Sequence, residues 1–328
     1  MRADDPLLSG SSVLLTGGQG FVGSWLKDAL VSAGARVTLL IRDYHPKLDL
    51  LNESRTQKVT TIVRGHLEER SLIERIMLEE EIQYCFHLAA QSLVNVAEAS
   101  PRSTFLTNAI GTLNVLEAAR KSESIRGLII ASTDKVYGEP KRLPITEEHP
   151  LEPQRIYESS KACADILSRS YFESYGLPIG IARCTNTYGG RDLNHSRIIP
   201  SSILSLLRNR SPVVESDGTP VRDYMYVSDA VAAYLAIARN ISRPSVKGQA
   251  LNFGTGKPTT VREIVSNVLR IFGTKLQPTY LNKPGGIKSQ YVSATRAHES
   301  LGWQPVMSLE EGLERTIGWY RKYESYLD

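Results

Sequence analysis

The stretch from Val13 to Gly34 constrains the fold of this chain more than any other. Apolar Val13-Leu14-Leu15 runs through Thr16 into Gly17-Gly18-Gln19-Gly20-Phe21-Val22-Gly23. A helically spaced apolar series follows through Trp25, Leu26, Ala29 and Leu30, with Gly34 as its stop. This reads as strand, glycine turn and helix, and Val37 to Ile41 supplies a second strand at once, so the opening 41 residues predict one βαβ unit. Glycines at 17, 20 and 23 leave backbone amides and a helix N-terminus open to a pyrophosphate with no side chain in the way. The bland reading is a tight turn that packs helix on sheet. The strand-and-helix context favours a nicotinamide dinucleotide held by Gly17, Gly20, Phe21, Val22 and Gly23. In NAD-specific sites an acid at the end of the second strand takes the ribose hydroxyls; here Ile41 and Arg42 occupy that place, with Asp43 after them. Arg42 suits a 2′-phosphate and Asp43 can swing back to a ribose. The expected cofactor is NAD(P)+, tightly bound, with a slight lean to NADP+ and NAD+ left open.

Strand-like runs recur at Thr60 to Val63, Tyr84 to Ala89, Leu128 to Ala131 and Ile179 to Arg183. Helical patterns lie between most of them, at Ser71 to Glu80, Ser103 to Lys121, and Tyr157 to Tyr175 closed by Gly176. Such alternation predicts an α/β fold, a Rossmann-type doubly wound parallel sheet with a smaller C-terminal α/β substrate lobe. The expected division is residues 1–185 with about 222–252 for the dinucleotide and about 186–221 with 253–328 for the substrate. In the last third, helices are expected near Ile198 to Arg208 and from Ser228 through Ala238, and capping boxes at Thr260 to Glu263 and Ser308 to Glu311 announce two more. The stretch from Glu139 to Pro153, with four prolines and four acids, reads as a lid or long connection.

Composition narrows the partners. A net charge of +4 on 328 residues, with the basic residues scattered, is no nucleic-acid signature, and no apolar run approaches a membrane span of about 18 residues. The start of the chain carries acids before its first apolar run, and a cytoplasmic protein is expected. Cys85, Cys163 and Cys184 are too few and too far apart for a disulfide framework or paired metal ligands, which fits a reducing compartment.

Two further motifs carry chemistry. Tyr157 and Lys161 are four apart and share a helix face. A lysine and a cationic nicotinamide favour the phenolate and can make a tyrosine a base near neutrality. Alone, the pair reads as a surface Tyr and Lys on an amphipathic helix, since that spacing is common by chance. Ser132-Thr133-Asp134-Lys135 ends a central strand, where open α/β sheets place ligands; its bland reading is a polar turn with an Asp cap.

Together, TGGQGFVG at 16 to 23, FHLAAQSLV at 86 to 94, STDKVYG at 132 to 138, YESSK at 157 to 161 and VRDYMYVSDA at 221 to 230 resemble the extended short-chain dehydrogenase/reductase superfamily over nearly the whole chain. Within it the sequence looks most like the sugar-nucleotide 4,6-dehydratases. Thr133-Asp134-Lys135, Gly189-Gly190-Arg191-Asp192 and Arg197-Ile198-Ile199-Pro200 are similar to the CDP-glucose branch, while Ala89-Ala90-Gln91-Ser92 and Arg42 are similar to GDP-mannose 4,6-dehydratases. The resemblance implies that Tyr157 takes the proton of the sugar O4, that Lys161 holds the cofactor ribose, and that Thr133 hydrogen-bonds O4. It implies that Asp134 protonates the leaving C6 hydroxyl. Lys135 stands where the dTDP-glucose pattern has a glutamate that removes the C5 proton, and it serves either directly, once neutral, or through a water.

The same resemblance adds Leu88, Ala89 and Ala90 to the cofactor site. It assigns the nucleotide-diphosphate sugar to Ser92, Asn186, Arg191, Arg197 and Arg222, each arginine being equally readable as a surface charge. It also implies a homodimer built on Ser103 to Lys121 and Tyr157 to Tyr175. His66 stands where relatives often have an acid and is given no role. His87 is expected to be a satisfied strand-end residue and Cys163 small and buried. Asp192 with His195 lacks further ligands, so no metal is expected. A 4-epimerase would use Tyr157, Lys161 and Thr133 without a task for Asp134. A 4-keto-sugar reductase, or a nucleotide-bound sensor on the same fold, are the further alternatives.

Overall fold

Seven parallel strands form the centre of the protein, seen in a computed structural model that describes residues 7–43, 60–283 and 286–327. Six come in sequence: β1 (Ser12–Thr16), β2 (Arg36–Ile41), β3 (Thr60–Arg64), β4 (Tyr84–His87), β5 (Gly127–Thr133) and β6 (Ile179–Cys184). Outside the sheet lie β7 (Asn186–Tyr188), β8 (Val213–Val214), β9 (Val221–Arg222) and β10 (Tyr224–Tyr226). The chain returns to it with β11 (Ala250–Phe253) and leaves again through β12 (Thr259–Thr260), β13 (Thr279–Tyr280) and β14 (Ser289–Gln290). The strand order is β3-β2-β1-β4-β5-β6-β11, so the winding reverses between β1 and β4 and opens a crevice at their carboxyl ends.

Both faces of the sheet are buried, and successive residues serve opposite cores. Val13 and Leu15 of β1 join one apolar cluster and Leu14 the other. Helices α1 (Phe21–Ser32) and, later in the chain, Val227–Asn240 cover the first face. The second is covered by α2 (Arg70–Glu79), by α5 (Gly111–Lys121) and by α6 (Ile156–Tyr175). Between α2 and α5 come α3 (Val94–Ala99) and α4 (Pro101–Phe105). The other elements after β6, α7 (Ile198–Leu207), α9 (Val261–Phe272) and α11 (Leu309–Lys322), pack round a third cluster with Tyr188, Tyr224 and Tyr226, the Val227–Asn240 helix being α8. Although late in sequence, Ala297 of α10 (Thr295–Leu301) and Trp303 pack into the sheet's own core.

Most expected elements fall within a residue or two of their places, with three differences. The single helix expected over Ser103 to Lys121 is instead α4, a π-helical turn at Leu106–Ile110, and α5. Asn108 sits in that wide turn because its side chain is engaged elsewhere: Oδ1 accepts from Gln91 N at 2.7 Å, and Nδ2 donates to Gln91 O at 3.1 Å and to Ser160 Oγ at 2.9 Å. The box expected at Ser308 is half made, since Glu311 turns to Arg315 at 2.7 Å rather than back to the cap. The Glu139 to Pro153 stretch is a pinned connection, with Ile145 fully buried and bridged to Val292, Glu147 accepting from Asn252 N, and Glu148 paired with Arg296.

A buried charge ties these parts together. Arg183 lies on the α6 side of β6, following Ile179 and Ile181 at period two, and is 2% exposed. Its Nε and Nη2 donate to Asp165 of α6 at 2.9 and 2.7 Å, and its Nη1 donates to Tyr137 Oη at 2.8 Å. Ser132 of β5 donates to the same carboxylate, and Tyr137 Oη donates to Asn252 Oδ1 of β11. Removing one partner of such a pair leaves an uncompensated buried charge. Asp165→Leu is therefore expected to lower the unfolding free energy by about 3–5 kcal/mol. Pairing it with Arg183→Met should recover most of that loss in urea denaturation.

Candidate active site

The glycine turn closes on itself so tightly that side chains are excluded. A Cβ on Gly23 would lie 2.0 Å from Gly17 O, and one on Gly17, which is at φ +74°, would lie 2.7 Å from Ala89 N. The turn thus abuts the half-buried Leu88-Ala89-Ala90 loop after β4, and Thr16 Oγ1 accepts from Ala89 N at 3.2 Å. Gly20 caps α1 with no side-chain hydrogen bond, and no acid stands in the first turn. Phe21, Val22 and Gly23 therefore offer amides and a positive helix end to an anion, and a dinucleotide pyrophosphate fits this cradle. At the end of β2, exposed Arg42 and Asp43 pair with each other at 2.5 Å.

Thr133 ends β5, and the chain turns through a 3-10 segment, Asp134–Tyr137. Thr133 Oγ1 donates to Asp134 Oδ1 at 3.2 Å and accepts from Lys135 N at 3.3 Å. Asp134 is 1% exposed. Its Oδ1 also accepts from Lys135 Nζ at 3.0 Å, whereas its Oδ2 is buried without a hydrogen-bond partner. Lys135 Nζ makes a second bond, at 2.7 Å, to Gln290 Oε1.

Tyr157 and Lys161 stand in the first turns of α6, whose start is fixed by Glu158 Oε2 accepting from the backbone of Gln154 and Arg155. Lys161 Nζ donates to Ala131 O at 2.5 Å, and burial pulls its pKa down to about 8 against the opposing pull of Asp165 one turn on. Burial pushes the Tyr157 phenol up to about 12; the Arg197 guanidinium and the Thr133 hydroxyl pull it down, and Asp134 pushes it up. The phenol is therefore neutral at physiological pH unless further positive charge is brought against it.

Of the substrate candidates, Arg197 lies within electrostatic reach of Tyr157 and Arg222 of Asp134. Ser92 is exposed in the loop before α3, and Asn186 is half-buried with its backbone N–H on Asp223 O at 3.1 Å. Arg197 pairs with Asp192 at 2.9 Å and lies 5.9 Å from the Phe21 ring of the glycine turn. Arg222 is half-buried, donates to Val221 O, and lies within the electrostatic reach of Asp134 and Glu139. Arg191 is held differently. Its guanidinium pairs with Asp28 of α1 at 2.8 Å, donates to Ser24 O, and lies 4.9 Å from the Trp25 ring.

His87 is buried between Thr16 Oγ1 at 2.8 Å and Thr112 Oγ1 at 3.0 Å, and burial with nearby Lys161 pulls its pKa to about 3. It is the satisfied strand-end residue that the sequence suggests. Cys163 is half-buried rather than buried, and all three cysteines are free. His66 is exposed, with its backbone N–H on Glu69. Among the described residues no group of His, Cys, Asp or Glu could hold a metal. No helix among them is long and apolar enough to cross a membrane. Two contributors have no signal in the local sequence. Gln290 reaches Lys135 across 155 positions, and Asn108 is marked by nothing stronger than an amide in a helical stretch.

Comparison with known proteins gives a consistent picture. The family model described as GDP-mannose 4,6 dehydratase matches residues 14–316. A putative UDP-glucose 4-epimerase of Methanocaldococcus jannaschii is 31% identical over 94% of this chain and 98% of its own length. The solved UDP-glucose 4-epimerase of Thermotoga maritima, with UDP-glucose, superposes with a TM-score of 0.87 at 30% identity, over 95% of this chain and 99% of its own. The dTDP-glucose 4,6-dehydratase of Bacillus anthracis, in complex with NAD, gives 0.86 at 28% identity, over 97% of this chain and 100% of its own. Matched across nearly its whole length, the chain belongs to the GDP-mannose 4,6-dehydratase family, whose relatives here are nucleotide-diphosphate-sugar dehydratases and epimerases of the extended short-chain dehydrogenase/reductase superfamily.

Proposed function

We propose that this chain is a nucleotide-diphosphate-sugar 4,6-dehydratase of the CDP-glucose or GDP-mannose type, converting an NDP-hexose to its 4-keto-6-deoxy form. The observation that carries the reading is Asp134. A carboxylate oxygen buried without a partner is costly, and it is accounted for when a substrate hydroxyl meets it.

Gly17, Gly20, Phe21, Val22 and Gly23 would hold a nicotinamide dinucleotide, which would supply the hydride acceptor for C4 and the hydride for C6. Tyr157 takes the O4 proton during the oxidation, with Thr133 hydrogen-bonding O4 and Lys161 holding the cofactor ribose. The 4-ketone acidifies C5. Lys135 takes the C5 proton directly or through a water, and Asp134 protonates the C6 hydroxyl so that it leaves as water. A proton then returns to C5 as hydride reaches C6, and the net change is loss of one water with no oxidant consumed.

Arg197 and Arg222 are assigned to the diphosphate, Asn186 and Ser92 are assigned to the same substrate, and Arg191, held by Asp28 and Trp25 of α1, is kept as a further candidate. Arg42 would meet a 2′-phosphate, which keeps the lean to NADP+, while Asp43 keeps NAD+ in view. We assign residues 1–185 with about 222–252 to the cofactor and about 186–221 with 253–328 to the sugar nucleotide. Exposed Ile110 and Ile166, on the two helical stretches expected to pair, support a homodimer. The second reading is a 4-epimerase. Relatives of that name at 30–31% identity favour it, and it would leave Asp134 and Lys135 to binding.

Incubation with CDP-glucose, GDP-mannose, dTDP-glucose and UDP-glucose, read by mass spectrometry, tests the assignment. Loss of one water from one of them is expected; an unchanged mass with inverted C4 would give the chain to the epimerases. Asp134→Asn should lower dehydration on the order of 10²-fold. Tyr157→Phe should cost on the order of 10²- to 10⁴-fold, whichever reaction is performed. Lys161 also makes stability depend on pH. Its folded pKa, about 8, lies below the unfolded value, so between the two the unfolded chain binds the extra proton and stability rises with pH. Against Lys161→Met, the wild-type cofactor-free protein should gain on the order of 3 kcal/mol from pH 8 to 10.5, measured by urea unfolding.

A further inference from the structure

We propose that Gln290 is a positioning residue for the elimination step, acting through Lys135; the proposal rests on the dehydratase reading above. Gln290 is fully buried at the end of β14, far in sequence from the catalytic turn. Its Nε2 donates to Asp134 O at 2.9 Å and, more weakly, to Gly138 O at 3.5 Å, while its Oε1 accepts from Lys135 Nζ at 2.7 Å. The amide can take no other orientation. Carbonyl oxygens only accept and an ammonium only donates, so a flipped amide would oppose every one of these contacts.

The consequence falls on Lys135. Once neutral, as removal of the C5 proton requires, the amine spends one N–H on Asp134 Oδ1 at 3.0 Å and the other on Gln290 Oε1. Two fixed acceptors on different elements leave one direction for its lone pair. A lysine side chain otherwise has ample rotamer freedom with which to leave its post. Gln290 also holds the backbone carbonyl of the acid itself, so one amide gathers Asp134 and Lys135, the two groups assigned to C5 and C6.

The same residue connects this pair with the substrate's other end. Strand β14 runs parallel to β9 with Gln290 opposite Arg222, which is assigned to the diphosphate. The register of a two-residue ladder thus fixes the spacing between the diphosphate anchor and the acid–base pair. Oxidation at C4 is carried by Thr133 and Tyr157 on β5 and α6, neither of which is a hydrogen-bond partner of Gln290; Thr133 meets the network one bond further on, through Asp134 Oδ1. Gln290 is therefore expected to govern elimination and to spare the oxidation.

The test is Gln290→Met, which keeps the length of the side chain and removes its hydrogen bonds. With a sugar nucleotide that the wild type dehydrates, kcat for loss of water should fall on the order of 10²-fold. KM should stay within about threefold, and a 4-keto hexose two hydrogens lighter than substrate, still bearing its C6 hydroxyl, should accumulate on the enzyme. In a Lys135→Met background the Gln290→Met change should add little, because the two act as one unit. Gln290→Glu, which keeps an oxygen toward Lys135, is the second variant should the Met variant not fold, and it should eliminate faster than Lys135→Met. Equal losses in oxidation and elimination, full additivity with Lys135→Met, or a Glu variant no better than Lys135→Met would overturn the role of Gln290. A wild type that dehydrates no sugar nucleotide would instead overturn the functional assignment.

Discussion

The guanidinium of Arg183 is the constraint on which the site depends. A full charge at 2% exposure in the middle of a parallel sheet is tolerable because every neighbour is committed to it: Asp165 of α6 by two hydrogen bonds, Tyr137 by one, and Ser132 and Asn252 through them. Those commitments fix the geometry of catalysis indirectly. Ser132 adjoins Thr133, Tyr137 closes the turn that begins at Asp134, and Asp165 lies one helical turn beyond Lys161. A buried ion pair here sets the relative position of the two motifs. Neither motif touches the other in sequence, yet both are fastened to the same cation.

The surroundings of the Tyr157–Lys161 pair work against charge on both groups. Burial drives the Tyr157 phenol up and the Lys161 amine down, the two directions that disfavour charge on each. A positive charge brought against Tyr157, as the proposed cofactor would bring, offsets the first. Holding a desolvated lysine beside a desolvated phenol before the ligand arrives costs folding free energy. Arg183 and its partners supply the rigid surroundings in which that cost is tolerated.

Much of this was legible in the sequence because its determinants are local. The glycine spacing at 17, 20 and 23, the period-two apolar strands and the Gly176 stop of α6 each act within a few residues, and the fold follows from their alternation. What was not legible acts at a distance. The π turn at Leu106–Ile110 exists because Asn108 is needed at Gln91 and Ser160, and a helical pattern cannot announce a side chain drawn 52 positions away. Glu311 fits a capping box by spacing but finds Arg315 nearer to hand. Arg191 reads as a phosphate ligand from its motif, and its ties to Asp28 and Trp25 depend on how α1 lies against the chain after β7.

Those last ties bear on how α1 and the chain after β7 can move. Trp25 of α1 donates to Gly190 O at 2.9 Å, Arg191 returns the contact to Asp28, and Tyr226 meets Trp25 edge-on at 6.2 Å. Helix α1, which follows the glycine turn, is thus stapled, one turn further along, to the segment after β7. A clam-like opening about a hinge would break all three contacts together. Because a hydrogen bond, an ion pair and a ring contact would have to break at once, α1 and the chain after β7 are coupled in any movement, and a shift of one carries the other with it.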